Sequence, residues 1–114
     1  MKRLSKQRDI RLFISQPMRG LTDEEIGIER ERLYALAERL TGHKLTLIDS
    51  WVEDIPNIAQ YNIPVYYLGK SIMKLSEADI VIFGEGWSQA RGCNMEYKIA
   101  QAYGITTIDE EELG

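Results

Sequence analysis

DIVIFGEGWSQARGCNMEYKIAQAYGI, residues 79–105, decides the reading of the fold. DIVIFG (Asp79 to Gly84) is the strongest apolar run in the chain and reads as a buried strand. A loop carrying Trp87 follows, then Gly92, then a helix that stops at Gly104. ITTI (Ile105 to Ile108) is the next strand. A strand, a helix and another strand in this order form a parallel crossover unit. Glu96 is read in the first turn of that helix.

Working upstream, Pro64 suits the first turn of a helix whose apolar stripe is Val65, Leu68, Ile72 and Leu75. The stretch before it, Ser50 to Ile63, has no clear period and is long for a connection inside a compact domain. KLTLID (Lys44 to Asp49) reads as a strand. Before it, Thr22 and Glu25 form a capping-box pair, and Ile26, Leu33, Ala37 and Leu40 give the core face of a helix ending at Gly42. IRLFIS (Ile10 to Ser15) is the first strand. The acidic tail after Ile108 reads as a last half-turn or a frayed end. The expected fold is therefore α/β: a single domain over residues 1–114, with a mostly parallel sheet of four to five strands between helices in a three-layer, flavodoxin-like or Rossmann-like sandwich. In such sheets ligands bind beyond the carboxyl ends of the strands where the strand order reverses. In a flavodoxin-like order the reversal lies between the first and third strands, so SQPMRG (Ser15 to Gly20) and EGWSQARG (Glu85 to Gly92) are expected side by side.

Composition excludes several classes. The 114 residues are 44% hydrophobic and 28% charged with a formal net charge of −4, an ordinary globular mix that does not suit a nucleic-acid partner. No apolar stretch is long enough to cross a bilayer. The basic opening MKRLSKQR has no apolar region behind it and is not read as a secretory signal. The single cysteine, Cys93, cannot form an intrachain disulfide, which suits a reducing cytoplasm. With one histidine, His43, no His/Cys metal cluster is possible. Cys93 is read as a packing residue, His43 as a surface residue, and Asp79 as structural, at the sheet edge opposite the site.

The candidate chemistry lies in the two loops. A carboxylate at a helix start meets free amides and a partial positive pole, which would hold Glu96 ionised as a nucleophile or base; first-turn acids also occur for dipole reasons alone. Gly92 would let a ligand approach the backbone. Arg19 can fork onto a phosphate or carboxylate with Ser15 assisting, or it is an exposed arginine of an ordinary turn. Trp51 and Trp87 each follow a strand and either stack on a nucleobase or wedge a loop onto the core. Asp49 meets a sugar hydroxyl or caps loop amides. Tyr61, Tyr66 and Tyr67 line the pocket or form an oligomer contact.

ISQPMRG, EADIVIFGEGW and RGCNMEYKIAQAYGI together resemble the nucleoside 2-deoxyribosyltransferase-like superfamily, and most closely a small phage and bacterial branch of it. That resemblance implies a flavodoxin-like sheet and cleavage of N-glycosidic bonds in nucleosides or their monophosphates. The pattern G-x-x-x-E is Gly92-Cys93-Asn94-Met95-Glu96 here, which implies Glu96 as the nucleophile at the anomeric carbon. It also implies that Ser15, Gln16, Met18, Arg19 and Gly20 hold the sugar or its 5′-phosphate. Three positions depart from the family pattern. Ser71 stands where relatives carry an aspartate, Ala90 and Arg91 stand near a usual serine or acid with Ser88 displaced, and Phe13 replaces a common first-strand tyrosine.

The expected substrate-binding set is thus Ser15, Gln16, Met18, Arg19, Gly20, Asp49, Trp51, Ser71, Trp87, Ser88, Arg91, Gly92 and Asn94, around the catalytic Glu96. No metal or other cofactor is implied. The expected partners are a nucleoside or nucleotide and a second copy of the chain in a homo-oligomer, with no nucleic acid and no membrane. Three readings follow: a nucleoside or nucleotide N-glycosidase or deoxyribosyltransferase, a nucleotide-binding protein that uses the same pocket without breaking its ligand, and an interaction domain with a vestigial pocket.

Overall fold

The computed structural model describes residues 9–49 and 60–113. Strand β1 (Arg11–Ser15) leads through a turn to helix α1 (Asp23–Thr41). Strand β2 (Thr46–Leu47) precedes helix α2 (Ile63–Leu75), and strand β3 (Ile80–Phe83) precedes a 3-10 turn (Trp87–Gln89) and helix α3 (Arg91–Ala102). Strand β4 (Thr106–Asp109) runs directly into a short helix, α4 (Glu110–Leu113). The sheet order is β2-β1-β3-β4 and every described pairing is parallel, so the order reverses between β1 and β3 as expected.

Alternation along the strands builds two cores. Leu12, Ile14 and Ile82 face α1 and pack with Leu33, Ala37 and Leu45. Phe13, Val81 and Phe83 point the other way and pack with Leu75, Trp87, Cys93 and Ala100. This is the three-layer α/β sandwich. Gly84 follows β3 against α1: a Cβ there would lie 2.8 Å from Leu33 Cδ1. A larger residue would have to displace the fully buried Leu33 side chain.

Helix α1 begins on the expected capping box. Thr22 Oγ1 accepts from the Glu25 amide at 3.1 Å, and the Thr22 amide donates to Glu25 Oε1 at 2.8 Å. It ends at Gly42 in the left-handed conformation, φ 72°. Helix α2 carries Pro64 in its first turn, with the Asn62 side chain as the cap. Asp79 is structural, as read: its carboxylate accepts the Arg11 amide at 2.8 Å, at the end of the sheet away from the reversal loops.

Several elements differ from expectation. The second strand forms over two residues and not over Lys44 to Asp49, because only Arg11 and Leu12 of β1 pair with it. Leu40 is 48% exposed and Val65 61% exposed, so neither belongs to the core face of its helix. The acidic tail is an ordered helical turn. Glu110 accepts the Glu85 amide at 2.7 Å and pairs with Arg32, which also holds Glu29. Among the described residues no helix is long and apolar enough to cross a membrane.

Candidate active site

The short β2 shapes the site. Beyond Leu12, described residues of β2 no longer flank β1, and a cavity of about 480 Å³ opens at that edge. Its walls come from three directions. Phe13, Ile14, Ser15, Gln16 and Met18 come from the end of β1 and the following loop. Asp23, Ile26 and Arg30 lie along one side of α1 at spacings of three and four, the helical neighbour distances. Tyr67 and Ser71 are one turn apart on α2, and Asp49 and Glu96 complete the lining.

Glu96 is the buried carboxylate of this lining. It is only 6% exposed. Ser15, at the end of β1 on the face of Phe13, donates its hydroxyl to Glu96 Oε1 at 2.6 Å. Ser71 reaches from α2 and donates to Oε2. Both carboxylate oxygens are therefore held, each by a hydroxyl from a different element. Ser71 thus acts as a hydrogen-bond donor that orients Glu96.

The electrostatics differ from the sequence expectation. Helix α3 begins at Arg91, because the 3-10 turn ends at Ala90 and that residue is the N-cap. Glu96 is therefore the sixth helical residue, in the second turn and past the free amides. Burial pushes its carboxyl above the ordinary value of 4.5, and the Ser15 and Ser71 hydroxyls offset part of that shift. The helix start does not hold it ionised.

Arg30, which the sequence reading missed, donates to the Ile48 carbonyl at 2.9 Å. Burial lowers its affinity for the proton and the charge of Asp49 opposes that. The signal that could have revealed Arg30 was its position one turn after Ile26 on the buried side of an amphipathic helix. Gln16 is 6% exposed and donates to the Ile26 carbonyl at 3.3 Å, tying the first loop to α1. Among the described residues no group of three His, Cys, Asp or Glu side chains could hold a metal ion.

Of the expected binding residues, Ser15, Gln16, Met18, Asp49 and Ser71 line the cavity with Glu96. Arg19 and Gly20 are exposed on the turn that follows and do not line it; Gly20 is there because φ is 83°. Arg91 and Gly92 are exposed at the start of α3, also outside the lining. Trp51 lies outside the described residues.

Trp87, Ser88 and Asn94 serve the fold. Trp87 is 8% exposed, its ring stacked on Tyr97 at 4.2 Å and tilted against Phe83 at 5.4 Å. Its Nε1 donates to Asp109 Oδ1 at 2.7 Å. Ser88 donates its hydroxyl to Glu111 at 2.8 Å, and Asn94 donates to the Ser88 carbonyl at 3.0 Å. Glu111 also accepts the Gly86 amide at 3.0 Å. The composition of this loop is thus explained by its docking on the acids of β4 and α4.

Cys93 is a packing residue, as read. Its thiol is pushed up to about 11, first by burial and then by the Glu96 charge, with Ser15 opposing. Native protein at pH 8 is expected to react with a thiol reagent at under about a tenth of the rate of urea-unfolded protein. Equal rates would show the thiol open to solvent.

The fold and the cavity define a doubly wound parallel α/β domain with a buried, hydroxyl-clamped carboxylate at its topological switch point. Residues 10–109 match the family described as a domain of unknown function, DUF4406, and the chain belongs to that family. Comparison with curated proteins and with solved structures gave no match.

Proposed function

We propose that the protein breaks the N-glycosidic bond of a nucleoside or nucleoside monophosphate through Glu96. The observation that carries this reading is the carboxylate itself, buried in a cavity wall and oriented through both oxygens by Ser15 and Ser71. Each oxygen keeps a further lone pair for an incoming carbon. In its ionised form Glu96 attacks the anomeric carbon, and the bond from that carbon to the base nitrogen breaks. The base leaves with the electron pair and takes up a proton from water. A water molecule, or a second base nitrogen, then attacks the same carbon, and the glycosyl ester releases the Glu96 carboxylate. Phe13, Ile14, Ile26 and Tyr67 supply apolar surface for a flat ring, the stacking role that Trp51 or Trp87 could have filled.

The test is base release from a panel of nucleosides, deoxynucleosides and their monophosphates, each with and without a second free base. Released or exchanged base that disappears in Glu96→Gln supports the proposal. Turnover unchanged in that variant would remove Glu96 from the mechanism.

Ser71 favours a second reading, a protein that binds the same ligands without breaking them. A hydroxyl cannot do the acid–base work of the carboxylate that the resembling superfamily carries at this position. This reading predicts that a nucleoside or nucleotide raises the thermal midpoint and is recovered intact.

A further inference from the structure

We infer that the cavity selects a nucleoside without its 5′-phosphate; the inference rests on the nucleoside reading above and narrows it. Three carboxylates, Asp23, Asp49 and Glu96, line the cavity against one guanidinium, Arg30. Arg30 is already engaged by the Ile48 carbonyl and lies in the field of Asp49. Even with Glu96 protonated the lining carries no excess of positive charge. A phosphate monoester brings roughly two negative charges near neutral pH. It would meet repulsion here, and among the described lining residues Arg30 is the one cation it could find.

The start of α1 is a poor substitute. In doubly wound sheets the start of the helix after the first strand is a ready anion site. In this chain that start is filled by its own acids. Asp23, Glu24 and Glu25 occupy the first turn of α1, and the Thr22 hydroxyl takes the Glu25 amide. The start of α3 has no side-chain cap, but Arg91 and Gly92 do not line the cavity. Arg19 is also outside it.

The same groups suit an unphosphorylated sugar. Carboxylates accept hydrogen bonds from sugar hydroxyls, and these bonds to a charged acceptor are stronger than neutral ones. The ligand class is therefore a neutral ring joined to a free pentose.

The test uses the wild-type chain and matched pairs, each nucleoside and deoxynucleoside beside its own 5′-monophosphate. Binding is measured by calorimetry and turnover by base release. For any base accepted, the unphosphorylated member is expected to be favoured at least about tenfold at low salt. The gap should narrow by about threefold in Asp23→Asn and likewise with added salt, because the discrimination is electrostatic. A monophosphate bound or processed as well as its nucleoside, or better, overturns this inference and leaves the nucleoside reading standing. No binding and no release with any member of any pair overturns both.

Discussion

Glu96→Gln is expected to abolish base release and, at neutral pH, to make the protein more stable. The loss of turnover should be at least about a thousandfold, the scale on which removing a nucleophile is felt. The gain in stability has a separate cause. Burial raises the Glu96 carboxyl above its ordinary value of 4.5 in the folded chain. The folded state therefore binds this proton more tightly than the unfolded state does. Below pH 4.5 the carboxyl is neutral in both states and costs nothing. As pH rises from there through the folded-state value, the folded chain must ionise a buried acid, and stability falls. Glutamine keeps the shape and the partners of Ser15 and Ser71 without a charge. The variant should gain about 1 kcal/mol, or roughly 4 °C in thermal midpoint, at neutral pH. The gain should vanish at pH 4. Thermal unfolding of both proteins across that range measures it, and a variant less stable at neutral pH than wild type would contradict the account. The same shift places the acid limb of turnover above pH 4.5. Ser71→Ala removes a donor to the carboxylate and should move that limb further up.

Trp87→Ala is expected to cost about 3–5 kcal/mol, a large share of the stability of a domain this size. The indole is stacked on Tyr97, packed against Phe83, and hydrogen-bonded to Asp109. Truncation leaves a cavity between α3 and the sheet and removes a donor from Asp109. Trp87→Phe keeps most of the ring contact and should cost about 1 kcal/mol through the lost hydrogen bond and reduced packing. Urea unfolding separates the two variants. A Trp87→Ala protein as stable as wild type but weakened in ligand binding would return Trp87 to the role of a stacking platform.

The element order was legible in the sequence because its signals are local. The capping box at Thr22, the stop at Gly42, the apolar run Ile80 to Phe83 and the stop at Gly104 each depend on a few neighbouring residues. The placement of Ser15 near Glu96 was legible too, since β1 and β3 had to be neighbours at the reversal. The role of Trp87 was not. An indole after a strand reads equally well as a platform or a wedge, and Tyr97 decides between them by covering its face. Arg19 reads from its loop either as an anion contact or as an exposed arginine of an ordinary turn; its turn carries it away from the cavity, while Arg30 enters from a helix face.

Periodicity, caps and the alternation of strands with helices determined a parallel three-layer domain, because backbone propensity and amphipathic spacing act over one turn or one strand. Tertiary structure alone decided what Glu96 is. Its burial comes from the packing of α3 on the sheet, and its two hydroxyl partners are Ser15 and Ser71, 81 and 25 residues away in the chain. The charge state of a carboxylate depends on the solvent it loses and the donors it gains, and both are properties of packing.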